Sequence, residues 1–217
     1  MADINKKVSF DKAQLELIES IISDANFKHT DWNKDVCGLE LQSLRKHIRN
    51  HYRVQQSGKC AYCRKDISVQ SALNCHVEHI APKSKHEKFM FEPKNLCIAC
   101  ADCNVIKNEN DTINLLKGGK ARARYPSSAT AFKIVHPHFD NWDENIEIHA
   151  GHWYIDKLPK GHFTIGVCQL NQRSRKYGID EPNKMVNLAI ELTKAKRDKN
   201  TTLIKLLKDE MFRTMDE

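Results

Sequence analysis

The chain has 217 residues, of which 40% are hydrophobic and 29% charged, the composition of a soluble globular protein with one compact domain or a small core carrying helical additions. No stretch approaches the ~18 consecutive apolar residues of a membrane span, and the opening Met-Ala-Asp-Ile-Asn-Lys-Lys has no apolar signal core, so the cytoplasm is the expected compartment and no membrane partner is expected. The net charge of +7 matters less than its distribution: 41–65 holds Arg45, Lys46, Arg49, Arg53, Lys59, Arg64 and Lys65 without an acid, and 112–139 holds Lys117, Lys120, Arg122, Arg124 and Lys133, again without one.

In chain order, 10–25 predicts an amphipathic helix with Leu15, Leu17, Ile18, Ile21 and Ile22 on its apolar stripe. The polar 26–34 reads as a loop. A second helix is predicted over 39–56 from Leu41, Leu44, Ile48, Tyr52 and Gln55, ended by Ser57-Gly58. Next comes a knuckle at Cys60–Cys63, then a short β-capable stretch at 74–80. A lysine-bearing loop at 82–93, an extended stretch at 95–99 and a short helix over 102–110 complete a β, β, helix order. Beyond Gly118-Gly119, alternation predicts strands at 132–135, 146–149, 152–155 and 163–170, with a turn at Leu158-Pro159-Lys160-Gly161. Helices are predicted over 181–196 and 202–212. The organisation is thus an N-terminal helical segment (1–58), a metal-stapled core (59–111), a mostly β extension (112–170) and C-terminal helices (171–217).

The most informative feature is the pair of CxxC knuckles, Cys60-Ala61-Tyr62-Cys63 and Cys100-Ala101-Asp102-Cys103, around His76-Val77-Glu78-His79-Ile80-Ala81-Pro82. In a reducing compartment the eight cysteines argue for thiols and metal rather than disulfides. Two knuckles supply the four soft ligands of a tetrahedral structural zinc, which a small β, β, helix unit needs as a staple. Cys60, Cys63, Cys100 and Cys103 are the leading set, with Cys97 the alternative to Cys103; Cys37, Cys75 and Cys168 read as small buried apolar residues.

Between the knuckles, Glu78 supplies a carboxylate for a hard divalent cation such as Mg²⁺, and His79 an imidazole able to take a proton from water. Asn104, Lys107 and Asn108 share one face of the following helix: Asn104 can offer an amide oxygen to the metal and Lys107 can meet a phosphate. His76 shares a strand face with Glu78 and reads as a structural histidine or a further ligand. His136, His138 and Asp140, within 136–143, form a runner-up metal site, although a loop packing its aromatic rings on the core fits that stretch better. His149, His152 and His162 lack ligand spacing.

The run CxxC, Glu-His-Ile-x-Pro, Asn95-Leu96, CxxC-Asn-x-x-Lys resembles the HNH endonucleases, zinc-stapled ββα-metal nucleases, over 59–110. The resemblance implies an α+β protein with a ββα-metal core. Cys103 rather than Cys97 would be the fourth zinc ligand, because Asn104 follows it directly. Glu78 would be the acidic metal ligand, His79 the general base, and Asn95 the middle residue orienting His79 and the loop. Asn104 stands where many members carry a last histidine, and Lys83-Ser84-Lys85-His86 replaces their usual glycine pair. Lys107, Lys83 and Arg64 are the expected backbone contacts. The resemblance further implies cleavage of nucleic acid, with DNA favoured over RNA or tRNA. At its narrowest the layout is similar to PtuB-like effector nucleases of Septu and retron-linked anti-phage systems, which work beside an ABC-type ATPase. The other reading of the residues is a zinc-ribbon module that binds nucleic acid without cutting it.

Overall fold

The computed structural model describes residues 2–33, 38–120, 122–149, 153–173 and 184–215. Helix α1 (Lys12–Ile22) starts at a reciprocal cap: Asp11 accepts from the Gln14 amide at 2.8 Å and Gln14 accepts from the Asp11 amide at 3.1 Å. Its buried stripe is narrower than expected, with Ile18 and Ile21 buried while Leu15 and Ile22 stand exposed. Helix α2 (Gly38–Gln55) buries Leu41, Leu44, Ile48 and Tyr52 on one face, as their spacing requires, and the chain leaves it through Ser57 and Gly58, both at positive φ. Tyr52 anchors it: its hydroxyl donates to the Pro93 carbonyl at 2.6 Å and accepts from the Val8 amide at 3.1 Å.

Strands β1 (His76–His79) and β2 (Leu96–Ala99) pair antiparallel, with His76 opposite Ala99 and Glu78 opposite Cys97. Gln56 closes the open edge of β2, accepting from the Ile98 amide at 2.8 Å and donating to the Ile98 carbonyl at 2.9 Å. Helix α3 (Ala101–Lys107) follows at once and packs on β1. The expected β, β, helix order is therefore present, with α2 packed against both strands.

The extension departs from its expected form. Helix α4 (Trp142–Asn145) leads into strands β3 (Ile146–His149) and β4 (Trp153–Asp156), which form a second antiparallel pair. The expected strand at 132–135 reduces to one bridge, Ile113 to Phe132. The expected turn at 158–161 and strand at 163–170 are a helix instead, α5 (Pro159–Val167). Pro159 occupies its first turn, where a missing N–H costs nothing, and Thr164 returns its hydroxyl to the Lys160 carbonyl at 2.7 Å. Gly161 lies so close to the Asn145 carbonyl that a β-carbon would overlap it, which lets α5 dock on the end of α4.

One apolar core runs from Ile4 to Leu170, so the first three sequence segments fold around a common interior. The extension grips the first knuckle directly: Trp142 donates its indole N–H to the Tyr62 carbonyl at 2.9 Å, and Tyr154 its hydroxyl to the Cys63 carbonyl at 2.7 Å. Helices α6 (Lys184–Arg197) and α7 (Thr201–Met215) form a hairpin around its own small cluster of Leu188, Ala195 and Leu207. The expected helix start at 181–183, Cys37 and His152 lie outside the described residues. Among the described residues no helix is long and apolar enough to cross a membrane. The described residues form a mixed α+β protein with two small antiparallel sheets.

Candidate metal centre and the adjoining groove

Cys60, Cys63, Cys100 and Cys103 are buried, and their sulfurs lie within 4.8 Å of one another. A zinc tetrahedron with ~2.3 Å legs has edges of about 3.8 Å; the Cys63 and Cys100 sulfurs stand 3.8 Å apart. The four thiols therefore fit a structural zinc in number, chemistry and spacing. Cys97 is on β2 and outside the cluster, which settles the choice between it and Cys103. Cys100 also caps α3, its sulfur accepting from the Cys103 amide at 3.5 Å. Hydrogen bonds from Cys103, Cys60 and Cys63 push the Cys100 thiol far below its ordinary range. Arg173 donates to the Cys103 sulfur at 3.5 Å, a cation where four thiolates would accumulate charge.

From this cluster α3 runs over β1 and lays polar side chains on the strand. Asn104 meets His76, amide nitrogen to Nδ1 at 2.9 Å, while the His76 Nε2 donates to the Leu73 carbonyl at 3.1 Å. One helical turn on, the Lys107 ammonium lies 2.6 Å from Glu78 Oε1 and donates to the His79 carbonyl at 3.0 Å. Tyr62 donates to the same Glu78 oxygen at 3.3 Å. Lys107 is fully buried, so it is not the phosphate contact expected of it; it is the counter-ion that makes a buried Glu78 tolerable. Both bonds end on Oε1, and Oε2 carries neither. Glu78 offers a carboxylate oxygen and Asn104 an amide oxygen, donors suited in kind to a divalent cation, while both ring nitrogens of His76 are already bonded.

His79 is held from two sides. Its Nε2 donates to the Met90 carbonyl at 3.1 Å, which leaves Nδ1 with the free lone pair. Its ring stands edge-on to Trp32, centroids 4.5 Å apart. Burial, reinforced by Lys83 and Lys107, lowers its pKa to about 3, so the imidazole is neutral at ordinary pH. Trp32 belongs to a stretch predicted as a polar loop. It is instead buried in a short 3₁₀ turn (His29–Asn33), and its carbonyl accepts from Arg45 of α2 at 2.7 Å.

Asn95 is fully buried and ties the loop that follows β1: it accepts from the Ala81 amide at 2.7 Å and donates to the Ala81 and Phe89 carbonyls at 3.2 and 2.9 Å. Its side chain holds the loop, while the His79 ring is held by Met90 and Trp32. Lys83 is half-buried at the groove, its pKa lowered by burial with Glu78 acting in the opposite sense. Arg64 is not at the groove. It pairs with Asp3 and lies 5.4 Å over the Trp142 ring, which removes it from the expected backbone contacts.

The stretch at 136–140 does not converge on a metal. His136 is spent between the Tyr125 hydroxyl at 2.8 Å and the His138 amide at 3.2 Å, and His138 donates to the Leu96 carbonyl at 2.8 Å. Asp140 pairs with Lys160 at 2.6 Å. Phe132 and Phe139 flank His136, so the stretch packs aromatic rings against the core, the better-fitting of its two expected readings.

Glu78, His79, His76 and Asn104 open onto one groove of about 1190 Å³. Helix α2 lines the same groove with Arg45, Lys46, Arg49 and Arg53. No protein-family model matches this chain, and no curated protein matches it.

Proposed function

We propose that the chain is a metal-dependent endonuclease of the HNH type that hydrolyses phosphodiester bonds of nucleic acid, DNA in preference to RNA. The observation that carries this reading is that a neutral, oriented imidazole, a carboxylate and an amide line one groove together with a cationic helix. Oε2 of Glu78 and the side chain of Asn104, with His76 beside them, would hold a divalent cation, which supplies charge neutralisation at the scissile phosphate and at the leaving oxygen. His79 accepts the proton of the attacking water on Nδ1, because Nε2–H is committed to Met90. Lys107 pairs with Glu78 and binds the His79 carbonyl, so it holds carboxylate and base in register. The products are a 5′-phosphate and a 3′-hydroxyl.

The zinc-ribbon reading, binding without cutting, has one observation in its favour: the Lys107 ammonium already neutralises the carboxylate that a divalent cation would use. Nicking of supercoiled plasmid by the zinc-loaded protein separates the two. The nuclease reading expects nicked and linear DNA with Mg²⁺ and none when EDTA is added in excess over Mg²⁺ for the short time of the assay. Intact plasmid, bound and shifted but uncut with Mg²⁺ or Mn²⁺, would leave the binding module. A place in anti-phage defence and an ABC-type ATPase partner rest on the motif resemblance alone.

A further inference from the structure

Arg45, Arg49 and Arg53 recur every fourth residue along α2, outside the zinc-bracketed segment, and all line the groove with Lys46. Like charges at that spacing repel one another on a helix. Among the described residues no carboxylate forms an ion pair with any of the four. The arginines are held by neutral carbonyls instead: Arg45 on Trp32 at 2.7 Å, Arg49 on Cys75 at 2.9 Å, and Arg53 on Ser68 at 3.1 Å and Ser71 at 2.7 Å. Those bonds orient the guanidinium groups without neutralising them. Arg49 bears the strain, its pKa lowered by burial and by its neighbours Arg53 and Arg45. An array of fixed, crowded, uncompensated cations is built to receive an anion, and successive members lie about 6 Å apart along the helix axis, comparable to neighbouring phosphates on one nucleic-acid strand. No exposed Phe, Tyr or Trp lines the groove among the described residues, so stacking on bases is not what the groove provides.

We propose that α2 is the backbone-binding wall of the groove: Arg45, Lys46, Arg49 and Arg53 grip consecutive phosphates of one strand and lay it against β1 and α3. This rests on the nuclease reading for the fate of that strand, and on the geometry of α2 alone for its capture. The carbonyl bonds add a second consequence. Arg49 and Arg53 tie α2 to the loop at 68–75, so the same cations that would meet phosphate also brace the entry to β1.

The test measures binding, by fluorescence anisotropy of a short labelled duplex and of its single strand, as a function of salt, in full-length zinc-loaded protein carrying His79→Ala to prevent cleavage. Each contacted phosphate contributes about 0.9 to the slope of log affinity against log salt for duplex and about 0.7 for a single strand. Lys46→Gln and Arg49→Gln are each expected to lower the slope by about that amount, and Arg49→Lys to restore it. Lys12→Gln, on α1, serves as the control and should leave it unchanged. Lys46 is exposed, so its replacement tests the wall without touching the fold. Slopes for Lys46→Gln and Arg49→Gln equal to that of Lys12→Gln would overturn the proposal. Plasmid nicking by the unsubstituted protein distinguishes the two failures. Cleavage with unchanged slopes removes the α2 wall and keeps the nuclease; lowered slopes without cleavage remove the nuclease and keep the wall.

Discussion

Replacing Cys100 by serine is expected to yield insoluble or zinc-free protein with no cleavage activity, against one zinc equivalent per chain in the parent. The magnitude follows from the site. A structural zinc in a small domain contributes on the order of 10–16 kcal/mol of apparent folding free energy, which rivals the ~5–15 kcal/mol of net stability of a whole domain. The four buried sulfurs join the knuckle at Cys60 to the start of α3, and Cys100 additionally caps that helix. Losing it would release the helix that sets Asn104 beside His76 and Lys107 beside Glu78. Metal analysis of the purified variant checks this, and a soluble Cys100→Ser protein that retains a full zinc equivalent would refute it.

His79→Ala is expected to lower the cleavage rate by about 10²–10⁴-fold, the usual contribution of a positioned general base, with zinc content and fold retained. The substitution also removes a buried ring that packs on Trp32, so some stability must be lost. That loss is separable because His79 lies outside the thiol cluster, and because Met90 offers a backbone carbonyl that water can satisfy once the ring is gone. Single-turnover rates on plasmid, with circular dichroism and zinc content measured in parallel, check the prediction. A variant as active as the parent would show that His79 is not the base. His79→Asn is the sharper control, since it keeps a polar side chain at the site while removing the basic nitrogen.

The thiol cluster is legible because a knuckle is a local device: two cysteines three apart can meet one ion whatever the rest of the chain does, and two such pairs leave little else to choose. Helices α1 and α2 were legible for the same reason, since their apolar spacing acts within a few turns. Lys107 was not. On its own helix it reads as a solvated cation at a phosphate-facing position, and only the docking of α3 across β1 puts its ammonium on Glu78. Arg64 was misplaced likewise, because its partner Asp3 is distant in sequence. In the extension, Phe163, Ile165 and Val167 alternate like a strand, yet Pro159 in the first turn and the approach of Gly161 to Asn145 favour a helix against β4. Trp32 carried no pattern at all: its burial depends on His79, Phe91 and Arg45 arriving from other elements.

Catalysis by this groove requires that Glu78 and Asn104 share one cation while Lys107 sits on the same carboxylate. Electron paramagnetic resonance of Mn²⁺ added to zinc-loaded protein reads this directly. One bound Mn²⁺ per chain, weakened at least tenfold by Glu78→Gln and by Asn104→Ala, is the predicted result. Mn²⁺ binding that is absent, or indifferent to both substitutions, would contradict it.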